Sequence, residues 1–288
     1  MQRALHFGIK TSQLTANPEA LLTIWRAADA LPIFEHAWIF DHIMSLGDDP
    51  GVPCLESWTL LAALAVQTRR LRIGVMVSDN TYRHPGILAK VAATVDIMAL
   101  GRLNFGLGTG WSETEHVAYG IPLPSAGERV RRLAEACELI RRLWTEPSVT
   151  FAGSYYQLNK AICEPKPVQK PFPPFAIGGE GEHTLRVIAR YADIWDCSVS
   201  TPEEYRQKCA ILERHCAAIG RDPASIAHSR HIGVDFTDLA ATDRQTRSFI
   251  EAGANYIIYS LQLSSSPDSV RRLAEEVAEP IRAAYAQS

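Results

Sequence analysis

The chain lacks any run of about 18 consecutive apolar residues, so it offers no membrane-spanning helix. Its first residues, MQRALHFGIK, lack the apolar region and small-residue cleavage site of a signal peptide. A cytoplasmic location is the expectation. No CxxC pair occurs among the six cysteines, at 54, 137, 163, 197, 209 and 216. Cys209 and Cys216 lie seven apart on one helical face and read as buried free thiols rather than ligands. HxH and HExxH are absent, and Asp41-His42 has no third ligand at an obvious spacing, so no metal site is expected. Excess charge is also missing. A net charge of −3 gives nucleic acid no electrostatic footprint, and no such partner is expected.

What the chain has is alternation. With 288 residues and 47% hydrophobic content it can build a large core, as one barrel or two ordinary domains. Strand-like segments at Leu5–Ile9, Ala37–Phe40, Leu71–Val77, Leu103–Leu107, Phe175–Ile177, Ile194–Cys197, Ser225–Val234 and Tyr256–Leu261 alternate with helical ones. Asn17-Pro18, His84-Pro85 and Ser266-Pro267 open helices, and Ser125–Glu128 and Thr201–Glu204 fit capping boxes. Ile87, Leu88, Val91, Val95 and Met98 recur at helical spacing and read as one packing face. Eight strands in unbroken alternation predict a (β/α)8 TIM barrel, a single domain over 1–288; an open doubly wound sheet is the alternative. Residues 146–175 break the pattern with six prolines and a hairpin, VTFAGSYYQL. So long a segment reads as a functional insertion over one mouth of the barrel.

In such a barrel the residues just after the strands converge on one mouth. They are Asp41 and His42, then Ser78, Asp79 and Asn80, then Thr109, Trp111 and Glu115, and finally Gly178–Gly181 and Asp196. An imidazole is a side chain that suits proton transfer, although a histidine there can also merely cap a strand. Gly178-Gly179-Glu180-Gly181 before a helix resembles a phosphate cradle; a flexible turn is the alternative. Gly106, Gly108 and Gly110 would let backbone approach a ligand closely. Their spacing fails the dinucleotide fingerprint, and no acidic strand residue supports a methyltransferase turn.

Together, Trp38–His42, Leu71–Val75, Tyr82–Pro85, Gly101–Leu103, Gly106–Trp111, Glu115, Tyr119-Gly120 and Ile177–Gly179 resemble the luciferase-like monooxygenase superfamily. Their order and spacing are most similar to the coenzyme F420-dependent oxidoreductases, over residues of about 4 to 265. The resemblance implies His42 as proton donor or acceptor beside the hydride-transferring carbon, Asp41 supporting it, and Glu115 as a third catalytic residue. Cofactor contacts are implied at Asp41, His42, Met76, Val77, Ser78, Gly108, Thr109 and Gly110. The phosphate tail would sit at Gly178, Gly179, Glu180 and Gly181. The resemblance also implies a non-proline cis peptide at Met76–Val77 that presses backbone against the cofactor, and a homodimer. No basic set for an anionic substrate is evident, so a small, neutral, partly apolar substrate is expected. Deazaflavin would carry hydride, whereas FMN on the same fold would insert oxygen through a peroxyflavin, and both remain open. A non-catalytic cofactor carrier is the third alternative.

Overall fold

A computed structural model describes residues 3–262 and 265–286. Strands β1 (His6–Thr11), β2 (Phe34–Ile39), β3 (Arg72–Val75), β4 (Ser78–Asp79) and β5 (Leu103–Gly108) form the first half of one sheet. A separate antiparallel hairpin, β6 (Val149–Ala152) with β7 (Gln157–Ala161), lies in the predicted insertion. The sheet resumes with β8 (Phe175–Gly178), β9 (Ile194–Cys197), β10 (Ala227–Gly233) and β11 (Tyr256–Leu261). Every pairing in it is parallel, β11 returns to β1, and β3 pairs β5, so eight strands close into a ring. This is the expected TIM barrel.

Helices α1 (Pro18–Asp29), α2 (Ser57–Gln67), α3 (Pro85–Met98), α4 (Glu113–Tyr119) and α5 (Ala126–Thr145) belong to the first half. The second half carries α6 (Glu182–Tyr191), α7 (Pro202–Ala218), α8 (Leu239–Glu251), α9 (Pro267–Leu273) and α10 (Glu279–Ala286). Strands packed on both faces alternate between this helical layer and the barrel interior. The interior is filled by Trp38, Met76, Ala176, Ile194, Tyr256 and Ile258.

Four departures from the sequence reading matter. The strand expected at Leu71–Val77 is interrupted: β3 ends at Val75, the Met76–Val77 peptide is cis as anticipated, and β4 resumes at Ser78. Helix α3 buries only part of the face its large side chains mark: Leu88 and Val95 are buried and Val91 half-buried, whereas Ile87 and Met98 are exposed. Beside Leu88 and Val95 it packs through Ala89, Ala92 and Ala93, where alanines let α2 and α5 approach closely. Ser125 and Thr201 do cap their helices, but Glu128 pairs with Arg132 and Glu204 accepts from the Ser200 N–H. The reciprocal capping box is Ser266 with Ser269. Finally α4 was not anticipated. It runs from its Ser112 cap to Gly120, whose φ of 66° suits a glycine C-cap, and it presents Glu115.

Candidate active site

A cavity of about 580 Å3 opens at the C-terminal ends of the strands, within the size range of small-molecule sites. Of the residues expected there, Asp41, His42, Met76, Val77, Ser78, Gly108, Thr109, Gly110, Gly178, Gly179 and Glu180 all line it. Glu115 stands behind His42, fully buried. Gly181 is not part of the lining; it is the N-cap of α6, which has no side-chain cap. The amides of that first turn are therefore not taken up by a capping side chain, which suits an anion.

His42 follows the end of β2, and its ring packs edge-on to Trp111 at 5.7 Å. Its Nδ1 lies 2.8 Å from Glu115 Oε2. The same oxygen accepts from Tyr82 Oη at 2.8 Å, while Oε1 accepts from the Ile43 N–H at 2.7 Å. Burial pushes the Glu115 carboxyl up, but the bonds from His42, Ile43 and Tyr82 outweigh it and hold the group below its usual range. It is an ionised anchor for one ring nitrogen, and among the described residues His42 Nε2 has no hydrogen-bond partner. Burial, with Glu115 next, pushes the Tyr82 phenol far up, so Tyr82 remains a donor.

Asp41 was expected to support His42. It does not touch the ring. Its Oδ1 accepts from Ser57 Oγ, and its Oδ2 accepts from the Asp79 N–H at 2.8 Å and from Arg83 Nη1 at 2.7 Å. Asp41 therefore ties β2 to the chain just beyond the Met76–Val77 turn, and Glu115 is the carboxylate on His42.

The glycines after β5 also read differently in three dimensions. A Cβ on Gly108 would lie 2.4 Å from Val77 Cγ2, and one on Gly106 would lie 1.8 Å from Val75 O. These positions admit the inward fold of the third strand rather than a ligand directly. The outcome still serves a ligand, since Met76–Ser78 and the glycines of β5 and β8 line one cavity, with the Val77 side chain packed over Gly108 and Gly178.

Sequence reasoning missed Lys10, Phe40, Tyr82, Ser198, Arg230 and His231 in the lining. Lys10 is the one charged residue inside an otherwise uncharged first strand, a signal that could have been used. His231 Nε2 donates to Asp196 Oδ1 at 2.8 Å, and Ser229 Oγ donates to the same oxygen at 3.0 Å. Burial pushes His231 down, and although burial also pushes Asp196 up, His231 and Lys10 hold Asp196 low. The basic residues not evident from sequence are Lys10 and Arg230; the lining sets them against the carboxylates of Asp41, Asp79, Glu180 and Asp196, of which Asp41 is paired with Arg83. Among the described residues no cluster of His, Cys, Asp or Glu is placed to hold a metal ion, and no helix is long and apolar enough to cross a membrane.

The Glu115 anchor makes a pH prediction. A carboxylate with a lowered folded pKa stabilises the fold above its unfolded value, here about 4.5, and that advantage is lost as pH falls through the folded value. Wild type is expected to melt above Glu115→Gln at neutral pH, with the gap closing below pH 4.5. A gap of constant size across thermal melts from pH 3 to 7 would refute the anchor role.

Comparisons with known proteins agree with this fold. Residues 5–287 match the family of luciferase-like monooxygenases. The F420-dependent glucose-6-phosphate dehydrogenase of Microbacterium testaceum (strain StLB037) is 36% identical over 207 residues, 71% of this chain and 60% of that protein. The chain thus spans about three fifths of that relative. An F420-dependent secondary alcohol dehydrogenase, solved with an F420-acetone adduct, superposes with a TM-score of 0.84 at 20% identity, covering 94% of this chain and 98% of the other. The coenzyme F420-dependent tetrahydromethanopterin reductase of Methanopyrus kandleri gives 0.81 at 17%, covering 96% and 99%. At those identities the two structures speak for the fold.

Proposed function

Because the chain belongs to the luciferase-like monooxygenase family, we propose that it is an F420-dependent oxidoreductase moving hydride between the deazaflavin and a small, neutral organic substrate. The observation that carries the reading is the His42–Glu115 pair on a cavity lined also by Met76–Ser78 and by Gly108, Gly110, Gly178 and Gly179. F420-dependent relatives support the choice of cofactor.

Met76–Ser78, Gly108–Gly110 and Gly178–Glu180 would hold the ring, and the uncapped start of α6 would hold its phosphate. When bound, deazaflavin supplies a carbon centre that gives or takes hydride. The protein's part is position and protons. Glu115 fixes the ring of His42 through Nδ1, so that Nε2 can give or take the proton of a carbonyl or hydroxyl substrate. Tyr82 and the Ile43 N–H keep Glu115 from swinging away. Trp111 at the lip, 67% exposed, offers an apolar surface to a substrate. A lining without an excess of cations speaks against an anionic substrate. The reading includes a homodimer, supported by the exposed Ile87 and Met98 on the outer face of α3.

The test is a fluorescence titration of the purified protein with F420 and separately with FMN. Micromolar or tighter F420 binding, with turnover on a panel of alcohols, enones and nitroaromatics, is the expected result. Binding of FMN alone would overturn it in favour of oxygen insertion, and binding without any turnover would favour a carrier.

A further inference from the structure

Three charged side chains of the lining, Lys10, Asp196 and Arg230, have unmet hydrogen-bonding capacity; the Arg230 guanidinium packs over the Phe249 ring at 4.2 Å, whereas Lys10 and Asp196 are open to the cavity. Lys10 lines the cavity from β1, and among the described residues its ammonium makes no hydrogen bond or ion pair. Asp196 lines it from β9; its Oδ1 already accepts from His231 and Ser229, whereas its Oδ2 has no partner among the described residues. Asp196 follows Ile194 by two residues on the same side of its strand, one layer nearer the mouth than the packed interior. Neither the Lys10 ammonium nor Asp196 Oδ2 is among the buried atoms without a partner, so both stand open to the cavity and are available to a ligand.

The pairing constrains that ligand. A carboxylate would satisfy Lys10 and repel Asp196, and an ammonium group would do the reverse. A neutral edge carrying both a carbonyl oxygen and an N–H satisfies both. We propose that Lys10 and Asp196 recognise the imide edge of the cofactor's pyrimidine ring, Lys10 donating to a carbonyl oxygen and Asp196 accepting from the ring N–H. His231 and Ser229 act as positioning residues, holding one carboxylate oxygen so that the other faces the ring. The assignment rests on the cofactor reading above and gives the ring a direction, imide inward and tail toward α6. Deazaflavin and FMN share this edge, so it governs ring binding and not the choice between them.

The experiment measures dissociation constants of wild type for the 8-hydroxy-5-deazaflavin riboside and for its N3-methyl derivative, by ring fluorescence. Lys10→Met and Asp196→Asn are measured alongside, with thermal melts to confirm folding. A hydrogen bond to a charged group predicts about ten- to a hundredfold weaker binding of the methylated ring to wild type. Each variant should lose a similar factor for the parent ring, and Asp196→Asn should no longer discriminate against the methyl group. The wild-type arm needs no variant to fold. Equal affinity of wild type for both rings would overturn the imide assignment while leaving the cofactor reading intact. Variants that bind the ring normally but raise KM for substrate would overturn it too, by moving the pair to the substrate side. If wild type binds neither F420 nor FMN, the cofactor reading fails and takes this assignment with it.

Discussion

Alanine at position 42 is expected to lower kcat by about 10²–10⁴-fold while the dissociation constant for F420 stays within a few-fold of wild type. The size follows from removing a positioned proton-transfer group. The selectivity follows from geometry, because the cofactor wall is built from Met76–Ser78 and the glycines of β5 and β8, none of which leans on the imidazole. His42 is partly solvent-accessible, with 28% of its side chain exposed, so its removal opens no deep cavity in the core. Glu115 then loses one of its donors but keeps the Ile43 N–H and Tyr82 Oη, and stays satisfied. Stability should therefore change little. Single-turnover absorbance at the deazaflavin band separates chemistry from product release, and a titration on the same protein gives binding. Unchanged turnover would remove His42 from the mechanism. A loss of binding equal to the loss of rate would recast the residue as part of the cofactor's seat.

What the sequence showed and what it hid have separate physical origins. The barrel was legible because alternation of apolar strands with capped helices is a local signal, repeated eight times. Asp41 and His42 were legible as a rim pair because they close a short buried strand. Which carboxylate holds His42 was not legible: Glu115 is 73 residues away on α4, a short helix without strong periodicity. His231 and Lys10 were hidden for another reason. Strands buried on both faces carry no polar alternation, so nothing local says which side points into the barrel. Bulk alone does not mark the buried face of α3: Leu88 and Val95 are buried, Ile87 and Met98 are exposed, and close helix packing selects Ala89, Ala92 and Ala93. The glycines of β5 were recognised as places of close approach, but the approaching partner is a strand some thirty residues earlier in the chain.

That last point sets up the largest effect on stability, expected for Gly106→Ala. The new Cβ would lie 1.8 Å from Val75 O and 3.0 Å from Val75 C, both backbone atoms at the start of the Met76–Val77 turn. No side-chain rotation relieves such a contact, so either β5 or the turn must move. Overpacking of a rigid core costs about 1–3 kcal/mol, and a clash of backbone against backbone belongs at or above the top of that range. For a domain of this size the melting temperature should fall by roughly 5 °C or more. Moving the turn also displaces Val77 from Gly108 and Gly178 and pulls Asp79 from Asp41, so the wall of the cavity should lose its shape. F420 affinity is then expected to drop at least tenfold at temperatures where the variant is folded. Gly233→Ala is the control: it lies at the end of β10, with no atom within 4 Å of its would-be Cβ, and should melt with wild type. If both variants melt alike, the glycine at 106 is not the space the inward turn requires, and the wall has some other support. If Gly106→Ala melts early yet binds normally, the wall is more self-supporting than its contacts with β5 indicate.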